Sequence, residues 1–282
     1  MSLDILGQID DALEANQDPA DGFRSHLGYS TIGEECKRKL WYSFHWITLR
    51  LHTARTLRIF QRGKNAEPEF AALLRAAGFK LLEVDPDTGE QFRFRDKTTP
   101  CISGSVDGVL VDLLGGGKLL GAEFKTMNSA NFRKLEKSDC KTAQPKHYSQ
   151  QQGYIHASKG TRWELAGFLY LVQNKDNQEL YSELIQEDQE TAQADLEPAR
   201  QVVRAKYPPD RISQSEDFFL CRFCDHLPAC HRDALPHQSC RSCEHSKPLP
   251  GDPEDWRCIR FDLNLDRAQQ IEGCGYWHPR KL

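Results

Sequence analysis

Two short stretches of the chain carry side chains able to hold a metal ion against a phosphate. Gly104, Ser105, Val106, Asp107 and Gly108 precede the apolar Val109 and Leu110, and after a turn come Leu120, Gly121, Ala122, Glu123, Phe124, Lys125 and Thr126. In a strand, residues two apart share a face, so Glu123 and Lys125 project to one side and Phe124 to the other. Gly115, Gly116 and Gly117 make a turn short enough for an antiparallel hairpin, which sets Asp107 beside Glu123. Such a trio suits phosphodiester hydrolysis. Carboxylate oxygens hold Mg²⁺ or Mn²⁺, the ion lowers the pKa of a bound water and neutralises phosphate charge, and a lysine positions the nucleophile. An isolated Glu-x-Lys would instead be read as a solvated strand face, because such tripeptides are common by chance. The glycine run is no phosphate loop, since no Gly-Lys-Ser/Thr ending follows it, and no Gly-x-Ser-x-Gly elbow suggests a serine hydrolase.

The elements that must position these residues are legible as changes of period. Residues 3–15, 31–46 and 49–77 read as helices, the last ended by Gly78. Strands are expected over residues 80–84, 91–95, 102–113 and 118–127, then a helix over 145–157 and strands over 163–173 and 180–186. Residues 174–177, rich in Asn and Asp, read as a hairpin turn, and residues 189–206 as an amphipathic helix with a Gln/Glu start. The pattern predicts an α/β fold with a central mixed sheet flanked by helices. After Tyr207, the Pro208, Pro209 and Asp210 break precedes a region where apolar periodicity gives way to Cys, His and Pro. The expected organisation is a first domain over residues 1–232 and a small cysteine-rich module over 233–282.

The chain has 282 residues, 37 Lys plus Arg against 41 Asp plus Glu, and 39% hydrophobic residues, which fits a globular protein of one or two domains and excludes disorder. No apolar stretch approaches the ~20 residues that span a bilayer, and no basic lead marks a signal peptide, so no membrane is expected and a reducing, intracellular setting is. In that setting ten cysteines, seven of them between Cys221 and Cys274, point to metal binding rather than disulfides. Net charge hides one asymmetry. Between Lys37 and Lys64 there are eight Lys or Arg and no Asp or Glu, and this run with Trp41 and Trp46 is expected to contribute to a nucleic-acid track.

Cys221, Cys224 and Cys230 supply three thiols that ask for a fourth ligand. Cys36 is one candidate, and His231 or His237 completing a zinc site is the other. Cys240, Cys243, Cys258 and Cys274 form a separate set of four with a leading Cys-x-x-Cys, which reads as a structural zinc ribbon in which His278 or His245 could replace one thiol. Cys101 and Cys140 remain, read as one buried and one surface thiol.

Over roughly residues 30–230 the sequence resembles the PD-(D/E)XK nuclease superfamily, within it the RecB-like and YqaJ-type phage exonuclease branch. Gly63 and Glu67 with Pro68 after them match the first-helix carboxylate, with Glu69 the competing position; Asp107 matches the hairpin aspartate, here preceded by Val106 rather than proline. Glu123 and Lys125 match the Glu-x-Lys, and Gln150 and Tyr154, four apart on one helix face, match the downstream Gln and Tyr that brace the active site and contact the DNA backbone. The resemblance implies that Glu67, Asp107 and Glu123 hold a catalytic Mg²⁺ or Mn²⁺ and that Lys125 orients the attacking water. Cys36 with Cys221, Cys224 and Cys230 resembles the pattern that binds a [4Fe-4S] cluster in CRISPR-associated RecB-like and AddB-type nucleases, clasping the two ends of the fold.

The function so implied is a metal-dependent DNA exonuclease of the phage recombination or repair type, acting in the bacterial cytoplasm with DNA and with a single-strand annealing or other recombination protein as partners. The rival readings are a non-catalytic nucleic-acid-binding scaffold built on the metal modules, and a nuclease of CRISPR adaptation.

Overall fold

The computed structural model describes residues 4–252 and 254–282. Leu3, expected in the first helix, lies outside them. In chain order the elements are α1 (Ile5–Ala15), β1 (Leu27–Gly28), α2 (Tyr29–Ile32), α3 (Lys37–Phe44), α4 (Ala54–Ala76), β2 (Leu81–Leu82), β3 (Arg93–Arg95), β4 (Ile102–Ser105), β5 (Gly108–Val111) and β6 (Leu119–Met127). They continue as α5 (Ser129–Glu136), α6 (Cys140–Ala143), α7 (Pro145–Ser158), β7 (Leu165–Asn174), β8 (Leu180–Gln186), α8 (Gln189–Arg204), α9 (Leu227–His231), β9 (Ser246–Pro248), β10 (Trp256–Cys258), β11 (Leu263–Leu265) and α10 (Arg267–Glu272). None of the helices is long and apolar enough to cross a membrane, among the described residues.

The architecture is mixed α/β. The largest sheet runs β2-β5-β6-β7-β8, with β6 and β7 parallel and the other pairs antiparallel. A parallel pair needs a crossover, and α5, α6 and α7 supply it. A smaller sheet runs β1-β4-β3, and β9, β10 and β11 form a third. Both faces of the central sheet are covered. Phe124, Leu169 and Leu171 pack with Phe70, Ala71 and Leu74 of α4, while Phe168, Tyr170 and Val172 pack with Tyr154 and Ile155 of α7. The strict alternation along β7 is what a strand buried on both sides requires.

Three local expectations change. The single helix over 31–46 is two helices, interrupted between Ile32 and Lys37; the Lys37 ammonium caps the break by donating to the carbonyls of Ile32 at 3.3 Å and Glu34 at 2.6 Å. The single strand over 102–113 is also two, and β4 and β5 belong to different sheets with Val106 and Asp107 at the junction. The start of α8 is held by the Asp188 carboxylate, which accepts from Thr191 N–H at 3.0 Å, rather than by a Gln/Glu start. The glycine turn is as expected. Gly115, Gly116 and Gly117 all take positive φ, 74°, 69° and 73°, which only glycine adopts without strain, and β5 and β6 pair across it.

Beyond α8 the chain has short elements but does not stand apart. Trp256 and Leu265 join the same apolar cluster as Trp41 and Phe44. Arg241, fully buried, lies over the rings of Trp46 at 4.2 Å and Trp256 at 4.7 Å and donates to Ser25 O and Gln270 Oε1, both at 2.8 Å.

Candidate active site and two thiol clusters

The antiparallel register pairs Gly108 with Ala122, and the Asp107 N–H reaches the Ala122 carbonyl at 3.3 Å, so Asp107 stands opposite Glu123. One oxygen of Asp107, Oδ2, accepts from the Phe124 N–H at 2.7 Å. Glu123 is 1% exposed; its Oε1 accepts from Gln150 Nε2 at 2.9 Å and from the Lys125 ammonium, while its buried Oε2 has no partner. Glu67 projects from the exposed side of α4, within electrostatic range of Asp107 and Lys125, and Glu69 is exposed on the same helix. Phe70, three residues on from Glu67, stacks on Phe124 with ring centres 5.1 Å apart and fixes the helix against β6.

The electrostatics follow from burial and crowding of like charge. Burial raises the Glu123 pKa to about 7, Lys125 opposes this and Asp107 adds to it. Burial also raises Asp107, and burial and then Asp107 raise Glu67. Burial works against the Lys125 ammonium, yet Glu123 and Asp107 outweigh it and raise its pKa. One fixed cation, joined only at Glu67 by the exposed Lys64, thus serves three carboxyl groups, and a buried carboxylate oxygen is left unpaired at a cost of about 1 to 3 kcal/mol or more. Hard oxygen donors with a deficit of positive charge fit a divalent ion. As they stand, no group of three or more His, Cys, Asp or Glu side chains among the described residues is drawn together to hold one.

Gln150 and Tyr154 share a helix face as their spacing requires, but their tasks differ. Gln150 braces Glu123, whereas Tyr154 is 3% exposed, donates to the Ser105 carbonyl at 2.7 Å and stacks near Phe168. Tyr154 therefore fixes the strand leading into Asp107 and presents almost no surface to solvent. Gly104 permits this, since a Cβ there would sit 2.6 Å from the Tyr154 hydroxyl. Two neighbours went unnoticed in the sequence. Tyr170 is the β7 partner of Glu123, and its hydroxyl meets His147 Nδ1 at 2.7 Å. Burial, then Lys125, pushes the His147 pKa down to about 4, so the imidazole is neutral. Its position three residues before Gln150 was the available signal.

Each cysteine set lines a cavity of its own, although neither is drawn together to hold an ion as it stands, and all ten cysteines are free thiols. Cys36, Cys221, Cys224 and Cys230 line one cavity together with Arg38, Lys39 and His231. His231 Nε2 is buried without a partner. His226 also lines it but is engaged by Ser43, Thr48 and Arg50, and His237 stacks on Phe23 instead. Cys240, Cys243, Cys258 and Cys274 line a second cavity with His245. There the His278 N–H donates to Cys243 Sγ at 3.5 Å, and burial followed by the three other thiols raises the Cys240 pKa to about 12. His278 pairs with Glu244 at 3.4 Å and is not among the cavity's lining residues. Cys101 and Cys140 are both buried, at 4% and 0%, so neither is a surface thiol.

The basic run is less available than its composition implied. Trp41 and Trp46 are core residues, their indole N–H groups donating to the carbonyls of Ala205 and Arg24, each at 2.9 Å. Arg38 is buried, stacks on Tyr42 and donates to the Pro209 carbonyl at 2.7 Å. These three residues are removed from the expected nucleic-acid track, while Arg55, Arg58, Arg62 and Lys64 of α4 stay exposed.

No family model and no curated relative matches the sequence. The structure is similar to an alkaline exonuclease, LHK-Exo, from Laribacter hongkongensis, with a TM-score of 0.46 and 14% identity over 70% of this chain and 91% of that one. It is similar also to LHK-Exo in complex with dAMP, with a TM-score of 0.47 and 15% identity over 66% of this chain and 89% of that one.

Proposed function

We propose that the chain is a divalent-metal-dependent DNA exonuclease of the recombination and repair type, with Glu67, Asp107 and Glu123 as the ion's carboxylate ligands. The observation that carries this reading is the buried, unpartnered Oε2 of Glu123 beside Asp107, with Lys125 and Gln150 fixed on the other oxygen. When bound, Mg²⁺ or Mn²⁺ lowers the pKa of water and neutralises charge on the phosphate. Lys125, its amine tethered to Glu123, orients the attacking water and holds it against the phosphate. Gln150 keeps the Glu123 carboxylate from rotating, and Tyr154 fixes the backbone of Ser105 two residues before Asp107. In the same reading Cys36, Cys221, Cys224 and Cys230 hold a [4Fe-4S] cluster, four thiolates being its usual donor set. Cys240, Cys243, Cys258 and Cys274 hold a structural Zn²⁺. His231 is the residue through which the first site could instead be a Cys₃His zinc site.

Digestion of end-labelled linear and closed circular DNA, single- and double-stranded, with and without Mg²⁺ or Mn²⁺, tests the activity. Degradation of linear DNA alone, and only with the ion, is expected; no degradation with either ion overturns the reading. Metal analysis of anaerobically purified protein tests the thiol sites, with about four iron and one zinc expected per chain. Two zinc and no iron would make both sites zinc.

A further inference from the structure

Phe261 and Tyr276 are left in solvent, 47% and 60% exposed, in a segment with few apolar side chains to bury. They are not scattered. Their ring centres are 5.4 Å apart at 69°, and the Arg260 guanidinium lies 4.8 Å from the Tyr276 ring and 5.7 Å from that of Phe261. Among the described residues Arg260 makes no ion pair or hydrogen bond, and the nearest acid in sequence, Asp262, is taken by Arg257 at 2.6 Å. All three line the rim of the cavity that holds Cys240, Cys243, Cys258 and Cys274. Cys258 lies two residues before Arg260 and Cys274 two before Tyr276, so the thiol cluster brings the two loops, and hence the rings, together.

We infer that Arg260, Phe261 and Tyr276 form a stacking platform for single-stranded DNA. Two half-exposed aromatic rings offer bases a surface that is indifferent to sequence, and the guanidinium that lies over them, without an ion pair, adds both a stacking plane and a charge for the phosphates. Duplex bases are already stacked and paired, so an intact duplex cannot use it. A partner protein's apolar patch fits less well, because burying Arg260 without an acid would carry the desolvation cost of an unpaired charge. The inference rests on the nuclease reading only for the source of the strand: digestion of one strand of a duplex exposes the other.

The test uses the full chain without added divalent ions and a fluorescein-labelled oligothymidylate, read by anisotropy against a duplex of equal length. Phe261→Leu with Tyr276→Leu should weaken oligothymidylate binding about 30-fold, two rings at about 1 kcal/mol each, and leave duplex binding within about twofold. Phe261→Trp with Tyr276→Trp should restore it, and Arg260→Gln alone should weaken it and lower the salt dependence. Native affinity in the leucine variant, or equal losses for strand and duplex, overturns the platform. Hydrolysis of bis(4-nitrophenyl) phosphate in Mn²⁺ separates the two readings. A platform that fails while the diester is cleaved leaves the active site standing, and strand-selective loss without any diester cleavage leaves the platform standing alone.

Discussion

Asp107 and Glu123 are held opposite each other by the ladder that pairs Gly108–Val111 with Leu119–Ala122, whereas Cys258 ends a three-residue strand and Cys274 lies on no element. The carboxylate centre is thus built by backbone hydrogen bonds that persist whether or not a counter-ion is present. The second thiol cluster is built largely by loops, and what fixes those loops is side-chain packing such as Arg241 between Trp46 and Trp256. Like charges can be crowded where a sheet supplies the framework; where no sheet does, the ligand groups and their anchors must supply it.

The sharpest way to break this contrast is to neutralise the carboxylates. Asp107→Asn and Glu123→Gln should each lower the cleavage rate in Mg²⁺ by on the order of a thousandfold or more, with a melting temperature unchanged or higher. The framework is the ladder, and removing one of two crowded buried charges relieves repulsion. Loss of activity accompanied by loss of the folded state would show that the carboxylates hold the strands, not the reverse.

Arg241→Met probes the other half. The methionine keeps some apolar contact with the tryptophans but cannot donate to Ser25 O or Gln270 Oε1. About 3 kcal/mol of stability should be lost, read from the urea midpoint, because two buried acceptors lose a charged donor. Limited proteolysis should then cut first within residues 233–282. Cleavage first in the sheet region would mean that the cysteine-rich segment is the more independent part.

What could be read in the sequence divides along the same line. The hairpin, the opposed faces of Phe124 and Glu123, and the pairing of Asp107 with Glu123 depend on a period of two and on glycine turn chemistry, both local. The interruption after Ile32 was not legible, since Gly33 is required by the approach of Ser149, whose Oγ would be 2.7 Å from a Cβ there. Nor was the split at Val106, which depends on two separate sheets. The interior place of Tyr154 was hidden for a related reason: Ser149, Gln150, Gln151 and Gln152 are all buried on α7, so hydropathy gives that helix no polar face to subtract. Trp41 and Trp46 looked like companions of a basic surface because Arg38 beside them is itself buried.

An effect of comparable size follows from pH. The folded-state pKa of Glu123 is raised above its unfolded value, to about 7, so the folded protein binds that proton more tightly. Stability from this group is fully present below the unfolded value near 4.5 and is lost as pH rises through about 7. Ion-free protein should therefore lose up to about 3 kcal/mol between those limits, followed by thermal melts. Mg²⁺ should reverse the slope, because it binds the ionised carboxylates. An unchanged slope in Mg²⁺ would mean that Glu123 is not a ligand.

The smallest effect on stability, and the one that decides which half of the molecule DNA touches, is charge reversal on α4. Arg58 pairs with Asp10, both about half exposed, and Arg62 donates to the Lys175 carbonyl at 3.0 Å. Exposed pairings of this kind are worth about 0 to 1 kcal/mol, so Arg58→Glu with Arg62→Glu should leave the urea midpoint nearly unchanged. The helix also carries Glu67, so its exposed arginines lie on the same element as one of the proposed ligands. Duplex binding should weaken, and the slope of log affinity against log salt should fall by about 2, near 0.9 for each phosphate that is no longer neutralised. Binding of oligothymidylate, if Arg260, Phe261 and Tyr276 hold it, should fall far less. A salt slope left unchanged for the duplex would take α4 out of the track and leave the approach to Asp107 and Glu123 to other surfaces.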